Sequence, residues 1–160
     1  MKWRPGRYQI DQDHSSIGFS VVNFLVFNVK GDFKRFKGEV LMGDDFTQSK
    51  VTASIDVTSI NTDWEGRDEH LMNEDFFHAK QFPEISFTSK TLMGTPEHFT
   101  ITGTLQIHGV TREIRLPCRM MDPMTVQAET SINRKDFGLT AGPSIKNEVK
   151  ILINIKLLAA

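Results

Sequence analysis

Asp68, Glu69 and His70 place two carboxylates and an imidazole side by side, and the other histidines, His14, His78, His98 and His108, are spread along the chain. Acid–base or metal chemistry would need such groups to converge on one point. Adjacent residues of a helix point in different directions, so Asp68-Glu69-His70 is not a convergent set. The histidines show no ligand spacing such as H-x-E-x-H, and no C-x-x-C accompanies them. A G-x-S-x-G elbow, a P-loop and a dinucleotide fingerprint are all missing from the sequence. Cys118 falls on an apolar face by parity, where a buried thiol is inert. These residues therefore predict a protein without catalytic or metal-ligating residues. His14 and Arg67 read as structural groups that hydrogen-bond a helical segment or a barrel end.

The surrounding elements read as strands. Ile17, Phe19 and Val21 share one face, and Val51, Ala53, Ile55 and Val57 alternate in the same way. Phe24 to Phe36 continues in this style, with Gly31 expected to mark a bulge or a sharp corner. Ile85 and Phe87 begin another strand. From Phe99 to Met120 the apolar residues occupy odd positions up to Ile107 and even positions from Val110 onward. Such a switch at His108-Gly109 predicts a two-residue hairpin turn pairing Ile107 with Val110, Leu105 with Arg112, Gly103 with Ile114 and Ile101 with Leu116. Gly103 then leaves a gap on the apolar face, and Arg112 brings a cation to it near the turn. Val126, Ala128 and Ile132, and then Val149 to Leu157, supply the last strands. About eight long strands with hairpin links predict an up-and-down antiparallel barrel, just wide enough for one slender ligand.

One stretch, Thr62 to Pro83, breaks the alternation. Thr62 and Glu65 fit a capping box that opens a helix running to about Asn73, with Asp68 and Glu69 facing solvent. Trp64, Leu71 and Met72 are too few apolar residues to stabilise it alone, so it must dock, with Phe76, Phe77 and Phe82 as anchors. The expectation is a helical flap across one end of the barrel.

At 160 residues, with 39% hydrophobic and 24% charged residues, the chain suits one globular domain spanning its whole length. The net charge of −1 gives no global attraction to nucleic acid. Twelve Phe against two Trp and one Tyr put the aromatic area into dry surface. No apolar run of signal-peptide length opens the sequence, and one Cys allows no internal disulfide, which favours the cytoplasm, or the periplasm if a leader has been removed.

A series of motifs runs in order along the chain. These are ID-x-x-HS-x-I-x-F-x-V at Ile10 to Val21, G-x-F-x-x-F-x-G at Gly31 to Gly38, R-D-x-H-L at Arg67 to Leu71, and DFF at Asp75 to Phe77. FP-x-I-x-F at Phe82 to Phe87, G-x-L-x-I-H-G-V-T at Gly103 to Thr111 and DFG at Asp136 to Gly138 follow. The sequence resembles the YceI-like family of bacterial polyisoprenoid-binding proteins. That resemblance implies an all-β fold, an extended eight-stranded antiparallel lipocalin-like barrel with a short helical segment near residues 63–78. It also implies a homodimer and an apolar tunnel holding a quinone tail, a polyprenyl phosphate or a similar lipid, with no cofactor beyond that ligand. Two positions depart from the family pattern. Val22-Asn23 replaces a basic residue and a His, and His78 replaces an Asp.

The ligand-lining candidates are Ile17, Phe19, Val21, Ile55, Phe87, Ile101, Leu105 and Ile114, with Phe76 and Phe77 from the flap. Asn23, which has the parity of Val21, and Arg112 are the polar candidates. Lys30, Lys34, Arg35 and Lys37 form the densest basic patch, a solvated rim or a landing surface for transient membrane contact. A barrel filled by its own side chains, acting through its surface, and an isoprenoid-modifying hydrolase are the alternatives.

Overall fold

The period-two alternation becomes a sheet that closes on itself. The computed structural model describes residues 3–24 and 26–160. Its strands are β1 (Gly6–Ile10), β2 (Ser16–Asn23), β3 (Phe27–Phe33), β4 (Phe36–Met42), β5 (Lys50–Asp56) and β6 (Ile60–Asn61). After helix α1 (Glu65–Met72) come β7 (Glu84–Thr95), β8 (His98–Ile107), β9 (Val110–Asp122), β10 (Thr125–Asn133) and β11 (Ile145–Ala159). Eight of them form a ring in the order β1-β4-β5-β7-β8-β9-β10-β11, and β11 pairs back onto β1 to close it. All neighbours are antiparallel, so this is the expected eight-stranded barrel.

Beyond the ring, β2, β3 and β6 continue the wall along the first part of β11. β1 and β2 lie end to end, broken by a 3-10 turn at Gln12–His14, and β5 and β6 are broken by another at Val57–Ser59. Near β6 the wall is completed by something other than a strand, because β6 pairs only with β3. The segment from Thr62 to Pro83, including α1, occupies this end.

The β8–β9 hairpin has the expected register throughout: Ile107 opposite Val110, Leu105 opposite Arg112, Gly103 opposite Ile114 and Ile101 opposite Leu116. Both turn residues have positive φ, 57° at His108 and 73° at Gly109, as a type I′ turn requires. Phe82 packs against this turn and against His78 and His108, with ring centroids 5.9 and 5.0 Å away.

Several expectations are corrected. Gly31 is no bulge; it pairs regularly with Phe19, and a Cβ there would lie 2.6 Å from the Phe19 ring. It is a glycine because a ring fills its space. The run from Phe24 to Phe36 is not one strand. Phe24 takes φ 54° after β2, Leu25 lies outside the described residues, and β3 begins at Phe27. The capping box does not form. Trp64 is the N-cap of α1, and no side chain caps it. Thr62 instead donates its hydroxyl to Asp68 Oδ1 (2.6 Å) and its N–H to the same oxygen (2.8 Å). Arg67 donates from Nε to Thr62 Oγ1 (2.7 Å) and from Nη2 to the Thr62 carbonyl (2.6 Å). Asp68 is thus half-buried rather than solvent-facing, and the segment is locked one turn later than a capping box would lock it. Trp64 is 65% exposed, so Leu71, Met72 and Phe77 do the docking.

Two apolar clusters divide the interior. One gathers Phe46, Phe99, Leu92, Met120 and Leu157 at the end opposite the flap. The other gathers Phe33, Val57, Ile85, Ile107 and Phe137 beneath the flap.

Candidate functional site

Between and through these clusters runs a cavity with a volume of about 290 Å³. Inward residues of every ring strand border it, including Ile153 and Ile155 of β11 and Val126 and Ala128 of β10. Among the described residues only Ser49, Thr130 and Arg134 bring side-chain nitrogen or oxygen to the wall. Thr130 donates to the Arg115 carbonyl (3.2 Å), and Ser49 accepts from the Gly43 N–H (3.1 Å). The rest of the wall is carbon and sulfur.

Ile17, Phe19, Val21, Ile55, Phe87, Ile101, Leu105 and Ile114 all border the cavity, and Phe76 and Phe77 reach it from the flap. Two strands place their residues there through compensating irregularities. Gly103 faces inward, and the gap it leaves is occupied by the Phe87 ring, which would lie 2.6 Å from an added Cβ. Next to it, the β7–β8 register shifts between Ser89 and Thr91, so that inward parity passes from Phe87 to Leu92.

The polar candidates lie elsewhere. Arg112 is exposed and donates from Nε to the Asp136 carbonyl (3.0 Å) on the rim. Asn23 sits at the end of β2 opposite Ile145 and is not on the cavity wall, and its Oδ1 is buried without a hydrogen-bond partner. In the basic patch, Lys34 pairs with Asp32 (3.1 Å) and Arg35 with Asp56 (2.9 Å), which neutralises half of it.

Arg134, like Ser49 and Thr130, is a polar wall residue that sequence reasoning missed. It is 6% exposed and spends its guanidinium on carbonyls: Nε on Lys146, Nη1 on Leu139 and Ala141, Nη2 on Gly142 and Ile145. Burial pushes its pKa below the ordinary guanidinium value. Five donors thereby fix the loop from Leu139 to Ile145, which forms one side of the cavity mouth. Parity contained the signal: Val126, Ala128, Thr130 and Ile132 face inward, and Arg134 continues that row.

The titratable groups do not assemble. His14 is exposed and pairs with Asp11 (2.8 Å). His70 packs edge-on against Phe76, with centroids 5.1 Å apart, and the Asp68 carboxylate is engaged by Thr62. Cys118 is on the inward face, and burial pushes its thiol up to about 12. Among the described residues no three His, Cys, Asp or Glu are grouped to hold a metal ion.

The fold and the motifs meet in one comparison: the model of the YceI-like domain matches residues 8–157. The chain belongs to the YceI-like family. It is 29% identical to Protein YceI of Salmonella newport, an alignment covering 93% of this chain and 85% of that protein. Two solved structures share the fold. Burkholderia cenocepacia BcnA superposes with a TM-score of 0.84 at 20% identity, over 94% of this chain and 99% of that one. A polyisoprenoid-binding domain from Saccharophagus degradans, implicated in plant cell wall breakdown, gives 0.76 at 17% identity over 96% and 98%. The YceI-like barrel seen here is thus shared with both solved structures over nearly their whole length.

Proposed function

We propose that the protein is a non-enzymatic carrier that holds one long-chain polyisoprenoid, of quinone or polyprenyl phosphate type, or a similar amphiphilic lipid. The observation that carries this reading is the apolar cavity of about 290 Å³. At roughly 24 cal/mol per Å³, a void of this size left unfilled forgoes about 7 kcal/mol, comparable to the whole stability of an ordinary domain. A chain of CH₂ and CH₃ groups recovers that loss, at about 0.8 kcal/mol per buried CH₂. The same cavity speaks against a barrel filled by its own side chains. The polyisoprenoid-binding domain of like fold adds support.

The direction of loading follows from exposure. Leu71, Phe76, Phe77 and Ile145 at the flap end are half-buried, and the β2–β3 hairpin beside them exposes Phe24, Val26 and Phe27. These three side chains support a transient membrane contact there, more than the partly neutralised patch around Lys34 and Arg35 does. A homodimer belongs to the same reading.

Protein purified from cells is expected to release a polyisoprenoid into organic solvent, identified by mass spectrometry. Empty extracts from several hosts, together with no saturable binding in quinone or polyprenol titrations, would refute the carrier reading. Turnover of the lipid that disappears in His70→Ala would replace it with a hydrolase.

A further inference from the structure

The two ends of the cavity differ. At the flap end Leu71, Phe76, Phe77 and Ile145 of its wall are half-buried, whereas the opposite end holds its most deeply buried wall residues: Phe46 is 4% exposed, Leu92 and Met120 3%, and Leu157 1%. Across this base the aromatic rings meet edge to face. Phe46 and Phe99 have centroids 5.0 Å apart at 85°, and Trp3 packs on the outer side of Phe46 at 5.3 Å and 62°. Phe46 and Phe99 both border the cavity, and Trp3 does not, so Trp3 backs the floor from behind.

The floor is also held in place. Phe46 lies in the β4–β5 connection, on a 3-10 turn that Asp45 caps by accepting from the Thr47 N–H (3.0 Å) and the Thr47 hydroxyl (2.8 Å). Ser49 accepts from the Gly43 N–H, and Trp3 Nε1 donates to the Gly43 carbonyl (3.1 Å). A side chain on a flexible loop could swing aside for a longer ligand. This one sits on a turn tied at both ends and is backed by an indole, so swinging it aside would give up its edge-to-face contacts with Trp3 and Phe99.

We infer that Phe46 and Phe99, backed by Trp3, form a stop that sets the length of chain the barrel accepts whole, an inference that rests on the lipid-carrier reading. A chain enters at the flap end and extends until its terminal methyl groups meet the Phe46–Phe99 pair. Each isoprene unit up to that limit adds buried apolar area, and each unit beyond it remains outside the mouth and adds little. Affinity therefore climbs with chain length and then levels off. The stop selects linear isoprenoids by length rather than by head group, which suits a wall with so few polar groups.

The test titrates wild-type protein with geraniol, farnesol, geranylgeraniol and solanesol and locates the length at which affinity stops rising. Phe46→Ala removes a phenyl ring, about the bulk of one isoprene unit, so the plateau should move to a longer chain. The first polyprenol beyond the wild-type limit should bind about tenfold more tightly to this variant. Phe46→Trp should move the plateau to a shorter chain. Phe46→Leu and Phe99→Leu make the same measurement with a smaller opening where Phe46→Ala does not fold. Saturable binding whose plateau stays put in the opened and the filled variants would overturn the stop while leaving the carrier reading intact. An absence of saturable binding by any of these alcohols would remove both.

Discussion

Asp68→Ala is the sharpest probe of the flap. Its Oδ1 accepts from both the Thr62 N–H and the Thr62 hydroxyl, and Thr62 is only 4% exposed. Removing the carboxylate leaves a buried backbone N–H without its acceptor, a loss of about 1–3 kcal/mol, and the bonds to an ionised group add to it. A total of about 2–3 kcal/mol is the working figure, and it falls on one segment. Residues from Thr62 to Pro83 pack on the barrel mainly through Leu71, Met72 and Phe77, so the loss should appear as flap opening before global unfolding. That energy converts to a roughly 30- to 150-fold increase in the opening equilibrium. Hydrogen exchange at the amides of residues 65–77 should accelerate by that factor, and release of bound geranylgeraniol should accelerate in parallel. Asp68→Asn keeps an oxygen in place and should recover most of both effects. If exchange accelerates and release does not, the flap is not the gate. If neither changes, Thr62 and Asp68 do not hold it.

Phe77→Asp should speed ligand release far more than it lowers the melting temperature, because Phe77 faces both the cavity and Phe33 (ring centroids 6.3 Å apart); equal losses in both would assign Phe77 to the core alone. Gly103→Ala should destabilise by about 1–3 kcal/mol, since its Cβ would lie 2.6 Å from both the Phe87 ring and the Thr88 carbonyl; an unchanged denaturant midpoint would contradict the close approach. Cys118 should resist alkylation near pH 8 in the native protein and react freely in denaturant. The folded thiol keeps its proton to about 12 whereas the unfolded chain releases it near 9.0, so stability should fall as pH rises between those values, by about 1.4 kcal/mol per unit. Cys118→Ser should flatten that part of the stability–pH curve, and a curve identical to wild type would refute the assignment.

The β8–β9 hairpin was legible residue by residue because parity, turn chemistry and apolar pattern all specified the same register. So was most of the lining, since inward parity in a closed barrel is cavity parity. What escaped depends on partners far away in sequence. Gly31 looks like a bulge or corner residue, and Gly103 like an empty gap, until Phe19 and Phe87 are seen lying over them. Thr62 has the spacing of a capping box, yet the nearer attraction is Asp68, which satisfies its N–H and hydroxyl with one oxygen. The register shift between Ser89 and Thr91 leaves no trace in composition, although it decides that Leu92 rather than Thr91 faces the cavity. Arg134 was visible by parity and overlooked by type, because a cation is not expected on a dry wall. Arg112 shows the converse: it has inward parity, but near the strand end its long side chain turns to the rim and donates to the Asp136 carbonyl.

The role of β11 has a consequence for how the chain reaches this state. A single strand pairs with β10, with β2 and with β1, and it sets Tyr8 opposite Ala159. Until that strand is made and docked, β1 and β2 lack a neighbour on one side, β10 has an open edge, and the apolar lumen is an open trough. Closure over so long a loop is entropically costly and slow. The interval is therefore one in which unpaired edges and a carbon-lined surface are both exposed to other chains. A lipid that fills the trough before closure would act as a template for the last strand. Refolding is then expected to be faster and cleaner with ligand present than without it.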